Sequence, residues 1–593
     1  MASGMNRRRF IGHIGGAAAV AGVSPLLAER VGTAGDPDFG PNVLLIDPSM
    51  PREAVQQRID AIFGDQEAAQ FGDGRHAILF KPGRYAFDVN VGFYTQVAGL
   101  GRRPGDVRIT GHVHAEADWN HGMALVNFWR GVENLAVSSP DGMDRWAVSQ
   151  AAPYRRVDLD GDLVLDDGGW SSGGFLADSH IRGTIRSGTQ QQWLTRGSSI
   201  GGWQGSNWNM MFVGVDGAPA TSFPDPPYTT VPTTPRIREK PFLFVDDAGQ
   251  WSVFRPAQRR DARGTSWAGG DAAGEPIPLS HFLIAHPGTS AAAINGAIAR
   301  GRHILFTPGI HRFAEPIRVD RPGTIILGLG LATLVADTGT VLMRIGDVPG
   351  VTVAGLLFDA GAELSPVLLQ VGRRGGARDD GRDPVLLADL FFRIGGATVS
   401  KVDTALEINR DHTIADHLWI WRADHGDRQH GKVHVGWDES TAEQGLVVNG
   451  DDVTIYGLFV EHFRRHQVLW TGDRGATYFF QCELPYDPPS QSAWRADDPD
   501  GWAAYKVADT VRRHDAVGLG IYANFTADPS IVLRSAIEAP QRPDVTFASV
   551  TTISLGGGKG TIAHLVNDTG AAARPGADRQ TLRHYPVEEG QKR

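Results

Sequence analysis

Short apolar runs broken by single polar residues recur along most of the chain: "GVENLAVS", "FLADSHIRGTIRSG", "VTVAGLLFDAG", "HTIADHLWIWRADHG", "VTIYGLFVEHF" and "TYFFQCEL". Runs this short, bounded by turn residues and lacking a helical period, predict β-strands. They return at roughly 20 to 25 residues, a period that fits a parallel β-helix, in which each coil stacks on the one before. A propeller needs four strands per blade and a period nearer 40. The pattern therefore predicts an all-β chain of stacked coils.

The chain also repeats itself on a larger scale. "RHAILFKPGRYAFDVNVGFYTQVAGLG" (Arg75 to Gly101) recurs as "RHILFTPGIHRFAEPIRVDRPGTIILGLG" (Arg302 to Gly330). Each copy follows a helix-like segment, "PREAVQQRIDAIFG" or "GTSAAAINGAIARG", itself preceded by a short apolar strand, "VLLID" or "FLIAH". The shared order of elements implies two homologous domains, residues 37–220 and 278–565. Between them, residues 221–277 are rich in Pro, Thr and Gly and read as a partly ordered linker with one strand pair, "KPFLFVDD" and "QWSVFRP". Residues 566–593 read as a polar, loosely held tail.

Composition sharpens this in three ways. The 74 glycines and 35 prolines lack a collagen period and favour tight turns between many strands. A net charge of -10 without an extended basic run leaves no source for the counterion release that drives nucleic-acid binding, so no nucleic-acid partner is expected. The single cysteine, Cys482, excludes an intrachain disulfide. At the N-terminus, "MNRRRFIGHIGGAAAVAGVSPLLAERVGTAG" joins paired arginines to a weakly apolar run, the pattern of a twin-arginine export signal. Residues 1–36 are thus expected to be a leader, and the mature protein a secreted one that does not stay in the membrane.

Candidate chemistry centres on "VEHFRRHQVLWTGDRGATYFFQCELPYDPP". Aligning "YGLFVEH" with "YFFQCEL" puts Glu461 and Glu483 at one position of consecutive coils, so their side chains leave the sheet as neighbours about 4.7 to 4.9 Å apart. Two such carboxyls in a partly buried groove are expected to share a proton near neutral pH, as general-acid chemistry at a glycosidic oxygen requires. A solvent-facing polar ladder is the usual reason for an isolated glutamate pair. Here the aromatic surroundings, Tyr486 and Trp470, suit sugar rings instead. In the first domain Gln150, Ser172 and Gln192 recur at similar intervals, with Trp170, Trp193, Trp203 and Trp208 nearby; stacked, they would bind a water or sugar hydroxyls, or merely stabilise the coil. With the domains side by side, the acids of one would face the amides of the other across a cleft. No metal and no cofactor are expected, because the acidic clusters "DLDGDLVLDDGG" and "RDDGRD" lie in turn-like segments.

Seven segments in order, "SQAAPYRR", "GWSSGGFLADS", "SGTQQQW", "LWIWRADHG", "GLVVNGDDVTIYGLFVEHF", "ELPYDPPSQ" and "YKVADTV", resemble the bacterial members of glycoside hydrolase family 55, the β-1,3-glucanases. The resemblance runs from about residue 40 to 560. It implies two tandem right-handed β-helices packed side by side, acting on β-glucan; a monomer is expected, since helices that cover each other remove one reason to oligomerise. It further implies an exo-acting, inverting laminarinase that releases glucose from the non-reducing end. Carried over, Glu483 would be the general acid and Glu461 a supporting carboxylate. Gln150 and Ser172 would hold the attacking water, with Ser171 as the alternative to Ser172. Gln192, Trp193, Trp170, Trp203, Tyr486 and Trp470 would bind substrate. Two other readings use the same scaffold: a polysaccharide lyase, and a non-catalytic glycan-binding protein.

Overall fold

Each half of the chain opens as its duplicated segments predict. Strand Val43–Ile46, helix α1 (Arg52–Gln66) and strand His76–Phe80 begin the first half. Strand Phe282–Ala285, helix α2 (Ala291–Ala299) and strand His303–Phe306 begin the second. The computed structural model describes residues 35–376, 381–427, 431, 433–496, 500–556 and 559–587. The expected leader lies outside these, apart from its last two positions. In α1, Val55, Ile59, Ile62 and Gln66 fall on one face, and the three apolar residues pack on Leu44, Ile46, Ile78 and Phe80. α2 does the same with Ile294 and Ile298 against Ile304 and Phe306. Ser290 caps it, its Oγ accepting from the Ala293 N–H at 3.2 Å. Each helix thus covers the end of a stack whose apolar interior would otherwise face water.

The strands form two parallel stacks. One path of nine strands runs from Val43–Ile46 to Tyr228–Val231; a second runs from Phe282–Ala285 to Val545–Ser554, with a further nine-stranded face from Ile317–Val319 to Thr561–Val566. Two parallel β-helices result. The coil between Tyr456 and its partner Tyr478 takes 22 residues, but Asp416 pairs with Tyr456 and Tyr478 with Val517, 40 and 39 residues on. The expected period holds only where no loop is inserted.

Within a rung, strict alternation fails at one place. Ile455, Leu458 and Val460 enter the coil interior, whereas Tyr456 and Phe459 face the other helix. Gly457, at φ 64°, turns the corner between the two faces. The same position of neighbouring rungs is left-handed throughout: Asp389, His417, Phe479, Gly518 and Ser549 all have positive φ.

The helices pack side by side through one apolar layer, in which Phe128 meets Trp419 at 4.6 Å between ring centroids and Trp129 meets Trp421 at 5.6 Å. The linker is more ordered than its composition suggests. Phe242–Val245 and Trp251–Pro256 pair as expected, and Gly274–Pro278 adds a third strand. Thr234–Ile237 pairs with Arg259–Ala262, and Tyr228–Val231 extends the first stack. The tail is not loose either. Strand Gln580–Tyr585 runs antiparallel along Val545–Ser554, and Arg579 donates to the carbonyls of Asn207 in the first domain and Pro224 in the linker, each at 2.5 Å. Its polar composition concealed this, because the cations pair with main-chain carbonyls far back along the chain.

Candidate active site

Phe459 pairs with Gln481, and two residues further the ladder brings Glu461 opposite Glu483, where the His462 N–H donates to the Glu483 carbonyl at 2.9 Å. Both side chains leave the coil on the face turned to the first domain. There the outward residues Gln150 and Ser172 meet them, and Gln192 meets Tyr522 beyond. Gln150 Nε2 donates to Glu461 Oε1 at 3.0 Å, Ser172 Oγ lies 3.5 Å from Glu483 Oε1, and Tyr522 Oη, one rung beyond Glu483, donates to Gln192 Oε1 at 2.8 Å. Gln150 Nε2 also reaches Ser172 Oγ at 3.3 Å, linking the first two levels. Of the two candidate serines, Ser172 is the one that takes part; Ser171 Oγ is buried without a partner.

All five residues predicted for the two ladders are buried. Burial and the facing Glu483 push the Glu461 carboxyl up to about 8, against the Trp419 indole N–H that favours its ionised form. The pair therefore holds one proton across neutral pH. Glu461 accepts at Oε2 from Trp419 Nε1 at 3.0 Å and at Oε1 from Gln150 Nε2. Glu483 faces two hydroxyls, Ser172 Oγ and Tyr486 Oη, which can accept as well as donate. Gln150 Oε1, buried and unpartnered, is left as an acceptor in the same space.

The aromatic residues predicted to bind sugar divide. Tyr486 contacts Glu483 and is held by the His462 ring at 4.5 Å. Trp170 keeps an exposed ring, two residues from Ser172. Trp193 and Trp470 are wholly buried inside the coils of their own domains and present no face to a ligand. Trp203 packs edge-on against Phe212 at 5.0 Å, part of the first coil's own packing. Strand alternation is the reason: each lies on the inward side of its strand. Gln192 needs a smaller correction, since Leu194 pairs with Phe175 and the register so continued sets Gln191, not Gln192, level with Ser172. Trp208, named in the sequence reading, lies with its ring 4.9 Å from that of Tyr522; Tyr522 and Trp419 complete the site and carry no signal in the sequence. Trp419 precedes Glu461 by a long coil, which hides the register that relates them.

Comparison with known proteins agrees with this architecture. A family model described as the LAM55 pectate lyase-like domain matches residues 282–483. An exo-β-1,3-glucanase of Streptomyces sp. (strain SirexAA-E / ActE) is 48% identical over 552 residues, which cover 92% of this chain and 89% of that protein. The solved structure of sacteLam55A from Streptomyces sp. SirexAA-E superposes with a TM-score of 0.90 at 47% identity, covering 93% of this chain and 100% of that one. A glutamate-to-alanine variant of sacteLam55A, in complex with glucose, matches with the same TM-score and identity over 93% of this chain and 99% of its own.

Proposed function

The chain belongs to glycoside hydrolase family 55 and is an exo-β-1,3-glucanase, and from that premise we propose that it inverts the anomeric centre and releases glucose from the chain end, with Glu483 as general acid. The observation that carries this is the facing of the two ladders: two neighbouring carboxyls, a hydroxyl and an amide with a free acceptor oxygen converge at the interface of the two helices.

In the proposed reaction a water held by Gln150 Oε1 and Ser172 Oγ attacks C1. The glycosidic C–O bond breaks, and the leaving oxygen takes the proton of Glu483. The proton lost by the water passes to Glu461, through the Ser172 hydroxyl or a second water. The pair then still holds one proton, moved from one rung to the next, so its charge is the same before and after. This also resolves why the acid and its proton acceptor can be neighbours in an inverting enzyme. A base that activates the water directly needs a gap of about 6.5 to 9.5 Å to fit it between the carboxyls; here the water is held from the opposite domain. Tyr486 orients Glu483, and Trp170 and Trp208 offer aromatic faces to the sugar.

The test follows the first product of laminarin hydrolysis by NMR. Wild-type protein is expected to release α-glucose first. Glu483→Gln is expected to lose activity by the roughly 10²- to 10⁴-fold that general-acid catalysis supplies. β-Glucose as first product, or undiminished activity in the variant, would overturn the mechanism while leaving the family assignment intact.

A further inference from the structure

We infer that His417 is a positioning residue for catalysis, fixing Gln150 from the opposite domain so that its amide can hold the attacking water. The inference rests on the water-holding role proposed for Gln150.

Gln150 lies in a left-handed conformation, φ 32°, which costs a residue with a side chain energy unless its surroundings hold it. Its carbonyl oxygen is held twice: the Ala152 N–H donates to it at 2.9 Å, and His417 Nε2 lies 3.0 Å away. The histidine is itself immobilised. It is a left-handed corner residue, φ 71°, fully buried, with its ring stacked on Phe175 at 4.4 Å and 3°. Its Nδ1 lies 3.0 Å from Asp389 Oδ1. Both ring nitrogens thus face fixed polar groups, a carboxylate and the Gln150 carbonyl, so the ring is pinned at both ends.

Asp389 belongs to a charge cluster in which Arg155, Arg196 and Lys240 are buried with Glu239, Asp389 and Asp416, and which the half-buried Glu133 joins through Lys240. Set against the cost of burial, Arg155, Lys240 and His417 hold Asp389 well below the usual carboxylate range, so it is ionised and ready to orient the ring. The chain of contacts runs from the charge cluster through His417 to the Gln150 main chain, and from there to the Gln150 amide between Glu461 and Ser172. His417 touches none of the reacting atoms; it acts through Gln150.

The experiment is a double-variant cycle on laminarin with Gln150→Ala, His417→Gln and the two combined, each confirmed folded by circular dichroism. His417→Gln is expected to lower kcat on the order of 10²-fold, the loss that a misplacement of about 1 Å can cause, with KM little changed. The combined variant is expected to be no slower than Gln150→Ala alone, because His417 then has nothing left to position. Wild-type kcat in His417→Gln, or losses that multiply, would overturn the inference. Wild-type kcat in Gln150→Ala would remove the water-holding reading and the inference with it. A slow Gln150→Ala with multiplying losses would remove the inference alone. Should His417→Gln not fold, His417→Lys takes its place, since it keeps a hydrogen-bond donor but cannot reproduce the two fixed directions of the ring.

Discussion

Two carboxyls that share a proton titrate as a unit, and the active form of this pair carries one. Burial and mutual repulsion keep that proton on up to about pH 8, so kcat/KM is expected to fall as pH rises through about 8. Glu461→Gln removes the neighbouring charge. Without the repulsion the remaining carboxyl releases its proton at lower pH, and the alkaline limb should move toward acid. The rate at the optimum should fall as well, by something within the roughly 10²- to 10⁴-fold range of acid–base groups, because the acceptor for the water's proton is gone. A pH–rate profile of the variant checks both; a limb that stays in place would mean the proton is held by something other than the pair. The carboxyl pair itself is legible in the sequence because a bare coil separates Glu461 from Glu483, and 22 residues is the length of one coil. Trp419, which donates to Glu461, is not legible, because a loop lengthens the coil joining their rungs to 40 residues. Trp193 and Trp470 were misplaced for a different reason. Nearness to a polar residue in the sequence does not say which side of a strand an indole takes.

At the scale of the element, the left-handed corner is what lets a rung present one side to its own core and the next to its neighbour. The corner row of the second domain, Asp389, His417, Gly457, Phe479 and Gly518, is also the row that touches the first domain. A Cβ at Gly457 would lie 2.9 Å from Phe175 Cδ2, and one at Gly518 would lie 2.6 Å from Met211 Sδ. Gly457→Ala combines a left-handed penalty of about 1–2 kcal/mol with that contact, and is expected to lower stability by at least this amount. It should also disturb activity, since Phe175 is the ring on which His417 stacks. Denaturant titration beside kcat would show it, and an unchanged midpoint would mean the interface yields freely at this point. The corner row can be read from the sequence once the register is known: it is the residue just before Leu356, Leu390, Leu418, Leu458, Phe480, Leu519 and Val550. Without the register, Gly, Asp, His, Phe and Ser at one position share no property that a composition or period would reveal.

For the whole molecule, the duplication and the order of its elements were open to sequence reading, whereas the means of holding the halves together was not. The linker reads as ordinary connecting chain, yet Glu239 and Lys240, between two of its strands, enter the charge cluster between the domains. No local pattern marks these residues, because each is paired with a partner far along the chain. The site exists only at this seam, so docking and catalysis should fail together. Asp416 is the sharpest point at which to test it: fully buried, it accepts from Arg155 Nη1 and from Arg196 Nε and Nη2, each at 2.8 Å. Asp416→Ala leaves two buried guanidiniums short of a counter-charge, a loss of the kind that costs about 3–5 kcal/mol. Because both arginines come from the first domain and Asp416 from the second, that loss should loosen the seam rather than one coil. The expected result is a lowered midpoint with activity and tryptophan fluorescence still lost at the same denaturant concentration, since the seam carries Trp129, Trp419 and Trp421 as well as the site. If activity and fluorescence were both lost at a lower concentration than the far-UV circular dichroism change, the seam would open before either coil unfolds. The two halves would then be independent folding units, with the charge cluster serving to align them.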